Sequence, residues 1–150
     1  MRTLGCCCTG NAAYFALMLG DDYVDDPLAR IEVANVLDQG ERLPELRDRV
    51  RVELERIRPG GVVLLGSIAR PQSYNAAAER ATIEAMVRLA AQELQLSCGR
   101  LAPPTVAARL GVPRTGSFEV NVRTFFADEH TPYWAERCKA AAAAVAWQRM

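Results

Sequence analysis

Three consecutive cysteines, Cys6, Cys7 and Cys8, run straight into the turn Thr9-Gly10-Asn11. Thiols can ligate soft metals, exchange with disulfides or attack electrophiles, so their spacing decides what they can do. In an extended strand Cys6 and Cys8 point to one face and Cys7 to the other. The three therefore cannot share one metal ion. Zinc sites space their cysteines by two to four residues and draw on two such pairs. The remaining cysteines, Cys98 and Cys138, supply no second pair, and the only histidine is His130. Cys6 and Cys8 are expected as small buried hydrophobes in a central strand. Cys7 is the thiol with a chemical prospect, provided that positive charge nearby lowers its pKa.

Other stretches carry polar groups that converge in sequence. "DDYVDD" places Asp21, Asp22, Asp25 and Asp26 together, but the spacing is not that of an EF-hand, and a solvated turn is expected. Thr9-Gly10-Asn11 resembles a phosphate loop, yet the chain is too short for the two-domain proteins that use such loops. Asp128, Glu129 and His130 read as a charged loop leading into a helix. "RPQSYN", residues 70–75, follows a strand, at the edge where open α/β sheets bind ligands. Arg70, Gln72, Tyr74 and Asn75 form the strongest polar binding cluster, with Ser73 as a helix cap.

The 150 residues balance 18 basic against 18 acidic side chains, and Lys139 is the single lysine. Zero net charge argues against avid non-specific DNA binding, which draws on a basic excess. An odd number of cysteines argues against a disulfide framework. No apolar run is long enough to span a membrane, and the N-terminus is not patterned as a signal peptide. A single cytoplasmic domain is expected over residues 1–150.

Periodicity places the elements. Residues 2–8 and 12–19 read as strands joined by the Thr9-Gly10-Asn11 turn. "ARIEVANV", residues 29–36, alternates as a third strand. Leu46, Val50, Leu54 and Ile57 fall on one helix face, and Pro59-Gly60-Gly61 ends that helix. "VVLL", residues 62–65, reads as a strand covered on both faces. A long helix from Tyr74 to Leu94 follows, with Ile83, Met86, Val87, Ala90 and Leu94 inward and Glu84 off the stripe. A strand at 96–101 and a short helix stopped by Gly111 come next. Residues 112–128 read as irregular, and Thr131-Pro132 as the cap of a last helix. The run Ala140 to Ala144 presents a small face for the sheet or for a second copy of the chain, with Trp134 and Trp147 as anchors. A homodimer is expected.

The order β-β-β-α-β-α-β-α-α implies an α/β fold, a mixed five-stranded sheet with helices on both faces. The chain resembles the RuvC-like branch of the ribonuclease H-like superfamily, which includes the Holliday-junction resolvases, and a family of small bacterial proteins within it. "LGCCCTGNAAYFALM" resembles the family's first strand, glycine turn and second strand. "PGGVVLLG" resembles the strand that precedes its long helix. "RLAPPTVAARLGV" resembles its last strand and short helix, and "WAERCKAAAAAVAW" its final helix. The resemblance implies two divalent metals held between carboxylates, which activate water against a phosphodiester. It puts the first acid at Cys7, the second at Leu65 or Gly66, and the last pair at Glu136 and Lys139. One carboxylate of four remains, and a lysine stands where a cation would be repelled.

The expected function is therefore that of an atypical, catalytically inactive member that binds nucleic acid or a protein partner and needs no metal cofactor. One alternative is a magnesium- or manganese-dependent nuclease whose site is rebuilt from Glu136 with Glu119 or Asp128. The other is a thiol-dependent enzyme or redox sensor in which Lys139 activates Cys7.

Overall fold

A computed structural model describes residues 1–33, 42–67, 73–126 and 131–150. The strands are β1 (Arg2–Cys8), β2 (Ala12–Leu19), β3 (Asp22–Val24), β4 (Arg30–Glu32), β5 (Gly61–Leu65) and β6 (Ser97–Leu101). The helices are α1 (Leu43–Ile57), α2 (Tyr74–Glu93), α3 (Pro103–Leu110), α4 (Phe118–Phe125) and α5 (Trp134–Gln148). The sheet runs β3-β2-β1-β5-β6, with β4 also paired to β2. β1 is antiparallel to β2 in a register that sets Cys7 opposite Tyr14. β5 runs parallel to β1 and to β6. This is the expected mixed α/β architecture.

Central position explains the apolar character of β1. Cys6 and Cys8 pack with Leu46, Val50, Leu54 and Ile57 of α1 and with Ile83, Val87 and Ala90 of α2. Cys7 faces the other layer, with Val63, Leu65 and the alanine run of α5. The pleat has thus sorted the three thiols as strand geometry requires. α5 lies so close to β1 that a Cβ on Gly5 would overlap the Ala140 carbonyl. Gly5→Ala is expected to cost about 2–3 kcal/mol of stability in a urea melt, the scale of an overpacked core. An unchanged midpoint would contradict this close approach. The small face of α5 is thus occupied by the chain's own sheet. Trp134 is buried with that core, and Trp147 lies over Gly99 of β6.

Three sequence expectations are corrected. The stretch expected as the third strand holds only β4 among its described residues, and β3 lies inside the "DDYVDD" stretch expected as a solvated turn. β3 pairs with Leu17 to Leu19, and β4 with Ala12 to Tyr14. Residues 25–29 bulge between them, and of the described part of the stretch read as 29–36, residues 30–32 are in strand form; positions 34–36 lie outside the described residues. The bulge holds Pro27, which cannot donate to a ladder, and an Asp26 carboxylate that accepts from the Leu28 N–H (2.9 Å) and from Arg56 (2.8 Å). Secondly, residues 112–128 are not all irregular. Ser117 caps α4 by accepting from the Val120 N–H, and Val122 is buried against α5. Thirdly, α5 starts after Tyr133, which takes the left-handed conformation (φ 62°) with no side-chain cap, so Thr131 is not its cap.

Candidate functional site

β1 and β5 are parallel neighbours, so their carboxyl ends open on the same side of the sheet. A cavity of about 180 Å³ lies there, lined by Cys7, Cys8, Thr9 and Gly10, by Leu65 and Gly66, by Ala76 and Arg80 of α2, and by Glu136 and Lys139 of α5. Glu136 and Lys139 sit three residues apart, one above the other on a helix face. The Lys139 ammonium is 2.8 Å from Glu136 Oε2. The Cys7 thiol is 3.8 Å from the same oxygen. Lys139 is buried (5 % exposed).

Burial pushes the Cys7 thiol up to about 12. Lys139 and Arg80 pull it down by less than that, and Glu136 adds to the rise. The lysine acts in the expected direction and desolvation outweighs it, so the thiol is raised rather than lowered. For Lys139, burial works against the charge. The Cys7 sulfur once ionised, and the hydrogen-bonded Glu136 carboxylate, outweigh it, so the lysine is raised above its usual value.

Arg80 is the residue that sequence reading passed over. Its Nε donates to the Cys8 carbonyl (3.0 Å) and its Nη2 to the Leu65 carbonyl (3.4 Å), tying together the ends of β1 and β5. Nη2 also meets Glu84 at 3.3 Å, and Glu84 reaches Arg100 at 3.6 Å. Glu84 is thus buried, contrary to its expected place off the stripe, because two guanidiniums accompany it. The signal was the i,i+4 spacing of Arg80 and Glu84 on the helix that follows a strand end.

The four positions assigned by resemblance, Cys7, Leu65, Glu136 and Lys139, all line this cavity. Of the "RPQSYN" cluster, Ser73 accepts from the Ala76 N–H as the cap of α2. Tyr74 and Asn75 are exposed in the first turn, and Arg70 and Gln72 lie outside the described residues. Asp128, Glu129 and His130 lie outside them too. Glu119 is on α4, 3.7 Å from Arg123, and is not in the cavity wall. Asp21 and Asp26 form ion pairs with Arg149 and Arg56.

Hard divalent ions need several oxygen ligands. In the cavity wall the donors among the described residues are one carboxylate and one protonated thiol, an ammonium holds that carboxylate, and Glu79 lies beyond the wall beside Gly10. This set does not fit a pair of such ions. Among the described residues no three His, Cys, Asp or Glu side chains gather as a metal site. A larger groove of about 640 Å³ runs between α1 and the 27–31 segment. It collects no buried polar group of comparable chemistry, since Arg56 there is paired to Asp26 and Glu53.

No family model matches the sequence, and no curated protein matches it. Solved structures do. Thermus thermophilus RuvC superposes with a TM-score of 0.78 at 17% identity, over 99% of this chain and 94% of that one. The same organism's RuvC in complex with a Holliday junction substrate gives 0.77 at 17% identity, over 99% and 93%. The yeast mitochondrial Holliday junction resolvase gives 0.64 at 15% identity, over 98% and 77%. The fold is RuvC-like. Within this RuvC-like frame, Cys7 is the last residue but one of the first strand and Glu136 and Lys139 lie in the first two turns of the last helix. Among the described residues no helix is long and apolar enough to cross a membrane.

Proposed function

We propose that this protein binds branched or single-stranded nucleic acid through the RuvC-like fold without cutting it by divalent-metal chemistry. The observation that carries the reading is the Lys139–Glu136 pair at 2.8 Å at the ends of β1 and β5, beside Cys7 and Leu65. The ammonium takes up the Glu136 carboxylate that a metal ion would need, and among the described residues the cavity wall holds no second carboxylate. Tyr74 supports contact with unpaired bases. Its side chain is 85% exposed, two residues before Ala76 of the cavity wall, and aromatic rings in such places stack on bases. The RuvC solved with a Holliday junction substrate makes a four-way junction the first ligand to try.

A homodimer is part of the proposal. Ala77, Ala81, Ala85 and Leu89 form an exposed apolar row along α2 at a spacing of four. A cytoplasmic setting fits the five free cysteines.

The test uses labelled four-way junctions, single-stranded DNA and RNA–DNA hybrid, with magnesium or manganese and with a chelator. Gel shifts are expected for the junction or the single strand, with the same affinity when the chelator is present. No cleavage products are expected. Metal-dependent cleavage that disappears in Glu136→Gln would sink this reading and establish a rebuilt nuclease site.

A further inference from the structure

We propose that the cavity at the ends of β1 and β5 receives a single unpaired nucleobase and that it prefers guanine. This rests on the nucleic-acid-binding reading and names what the same site recognises.

Two opposite charge pairs and one further carboxylate surround the cavity. Lys139 faces Glu136, Arg80 faces Glu84, and the Glu79 carboxylate lies next to Gly10. A phosphate placed there would meet Glu136 and Glu79 at close range, so a bare anion is a poor occupant. A neutral ligand that presents donors beside acceptors is a good one. The hydrogen-bonding capacity left over fits that description. An ammonium has three donors, and Lys139 directs one to Glu136. Glu136 Oε1 and Arg80 Nη1 have no hydrogen-bond partner among the described residues. The site therefore offers a carboxylate acceptor next to ammonium and guanidinium donors.

The Watson–Crick edge of guanine carries the complementary set. Its N1–H and N2–H groups are adjacent donors that a carboxylate accepts together. Its O6, on the other side of N1, accepts from a lysine or an arginine. Adenine presents one donor beside an acceptor, so a carboxylate there meets a lone pair. Cytosine presents one donor and two acceptors. Thymine presents a single donor between two acceptors.

Size and walls agree with a base. A cavity of about 180 Å³ is below the ~300–1,000 Å³ of drug-sized ligand pockets. Leu65 and Ala76 give it apolar wall, and Gly10 and Gly66 contribute no side chain. Cys7 contributes an uncharged thiol. Extracting a base from a duplex costs stacking and pairing, so the occupant comes most readily from a strand or junction in which it is already unpaired.

The test is fluorescence anisotropy with labelled oligothymidines that differ only in one central base: guanine, adenine, cytosine or hypoxanthine. The guanine strand is expected to bind on the order of tenfold more tightly than the adenine strand, the discrimination given by one well-formed two-bond base contact. Hypoxanthine lacks the N2 amino group and is expected between the two. It reads the carboxylate contact in the unaltered protein, where folding is not in question. Glu136→Gln is expected to bring the guanine-to-adenine ratio close to one. Equal binding of all four strands would overturn the guanine pocket and leave nucleic-acid binding intact. Binding of guanosine monophosphate without binding of any strand or junction would keep the pocket and remove the nucleic-acid reading. Binding of neither would remove both.

Discussion

Arg137→Ala lowers the unfolding free energy by about 3–5 kcal/mol, because it leaves several buried oxygens unpaired. Arg137 is 2 % exposed and has no carboxylate partner within ion-pair distance among the described residues. Its Nε donates to the Phe15 carbonyl at 2.7 Å, and its Nη2 to the Tyr23 hydroxyl at 2.8 Å and the Leu28 carbonyl at 3.3 Å. Its Nη1 donates to the Pro132 carbonyl at 3.4 Å. These acceptors surround the bulge between β3 and β4, so the guanidinium replaces the ladder bonds that the bulge removed. The Tyr23 ring adds a cation–π contact, with the guanidinium 5.4 Å from its centroid. A lysine has no planar fork to reach carbonyls on both β2 and the bulge, so Arg137→Lys recovers only part of the loss. Urea denaturation followed by circular dichroism measures both variants. A loss below 1 kcal/mol in Arg137→Ala would mean that water satisfies the bulge without the arginine.

Alkali is expected to unfold the protein from about pH 9 upward, with buried thiols as the main cause. Burial raises Cys7 and Cys138 from an ordinary value of 9.0 to about 12, and raises Cys98 and Cys6 as well. Between pH 9 and 12 the unfolded chain has released these protons and the folded chain retains them. The unfolded state then binds fewer protons, so stability falls as pH rises. Lys139 acts in the same direction, since its stabilising charge is complete below 10.5 and is lost above that value. For Cys7 alone the full span from 9.0 to about 12 corresponds to about 4 kcal/mol. Urea midpoints at pH 8 and pH 11 check this. Wild type is expected to lose about 3 kcal/mol more than Cys7→Ala over that interval, from two of those units. Parallel losses in the two proteins would show that the Cys7 thiol ionises freely in the folded state, and would restore it as a candidate nucleophile.

Much of the scaffold was legible because it depends on local periodicity. Period two assigned Cys6 and Cys8 to one layer and Cys7 to the other. Period 3.6 assigned Leu46, Val50, Leu54 and Ile57 to the core, and Ser73 was visible as a cap. The misreadings share one cause. The bulge between β3 and β4 depends on Arg137, which lies 122 positions from Phe15 and reads in sequence as one more charge at the start of an amphipathic helix. α4 is only eight residues long and becomes a helix by packing Val122 against α5. Glu84 looked like a solvated charge until Arg80 and Arg100 closed on it.

By itself the sequence determined which residue types reach the strand ends: Cys7 and Leu65, with Glu136 and Lys139 one helical turn apart. Side-chain chemistry and helix spacing are properties of the chain, so that much needs no coordinates. Only the tertiary structure decided what those groups do. Whether Lys139 activates Cys7 depends on the balance between a nearby charge and the loss of water, and the water is removed by packing α5 onto β1. Desolvation prevails, the thiol stays protonated, and the lysine's charge turns to Glu136 instead.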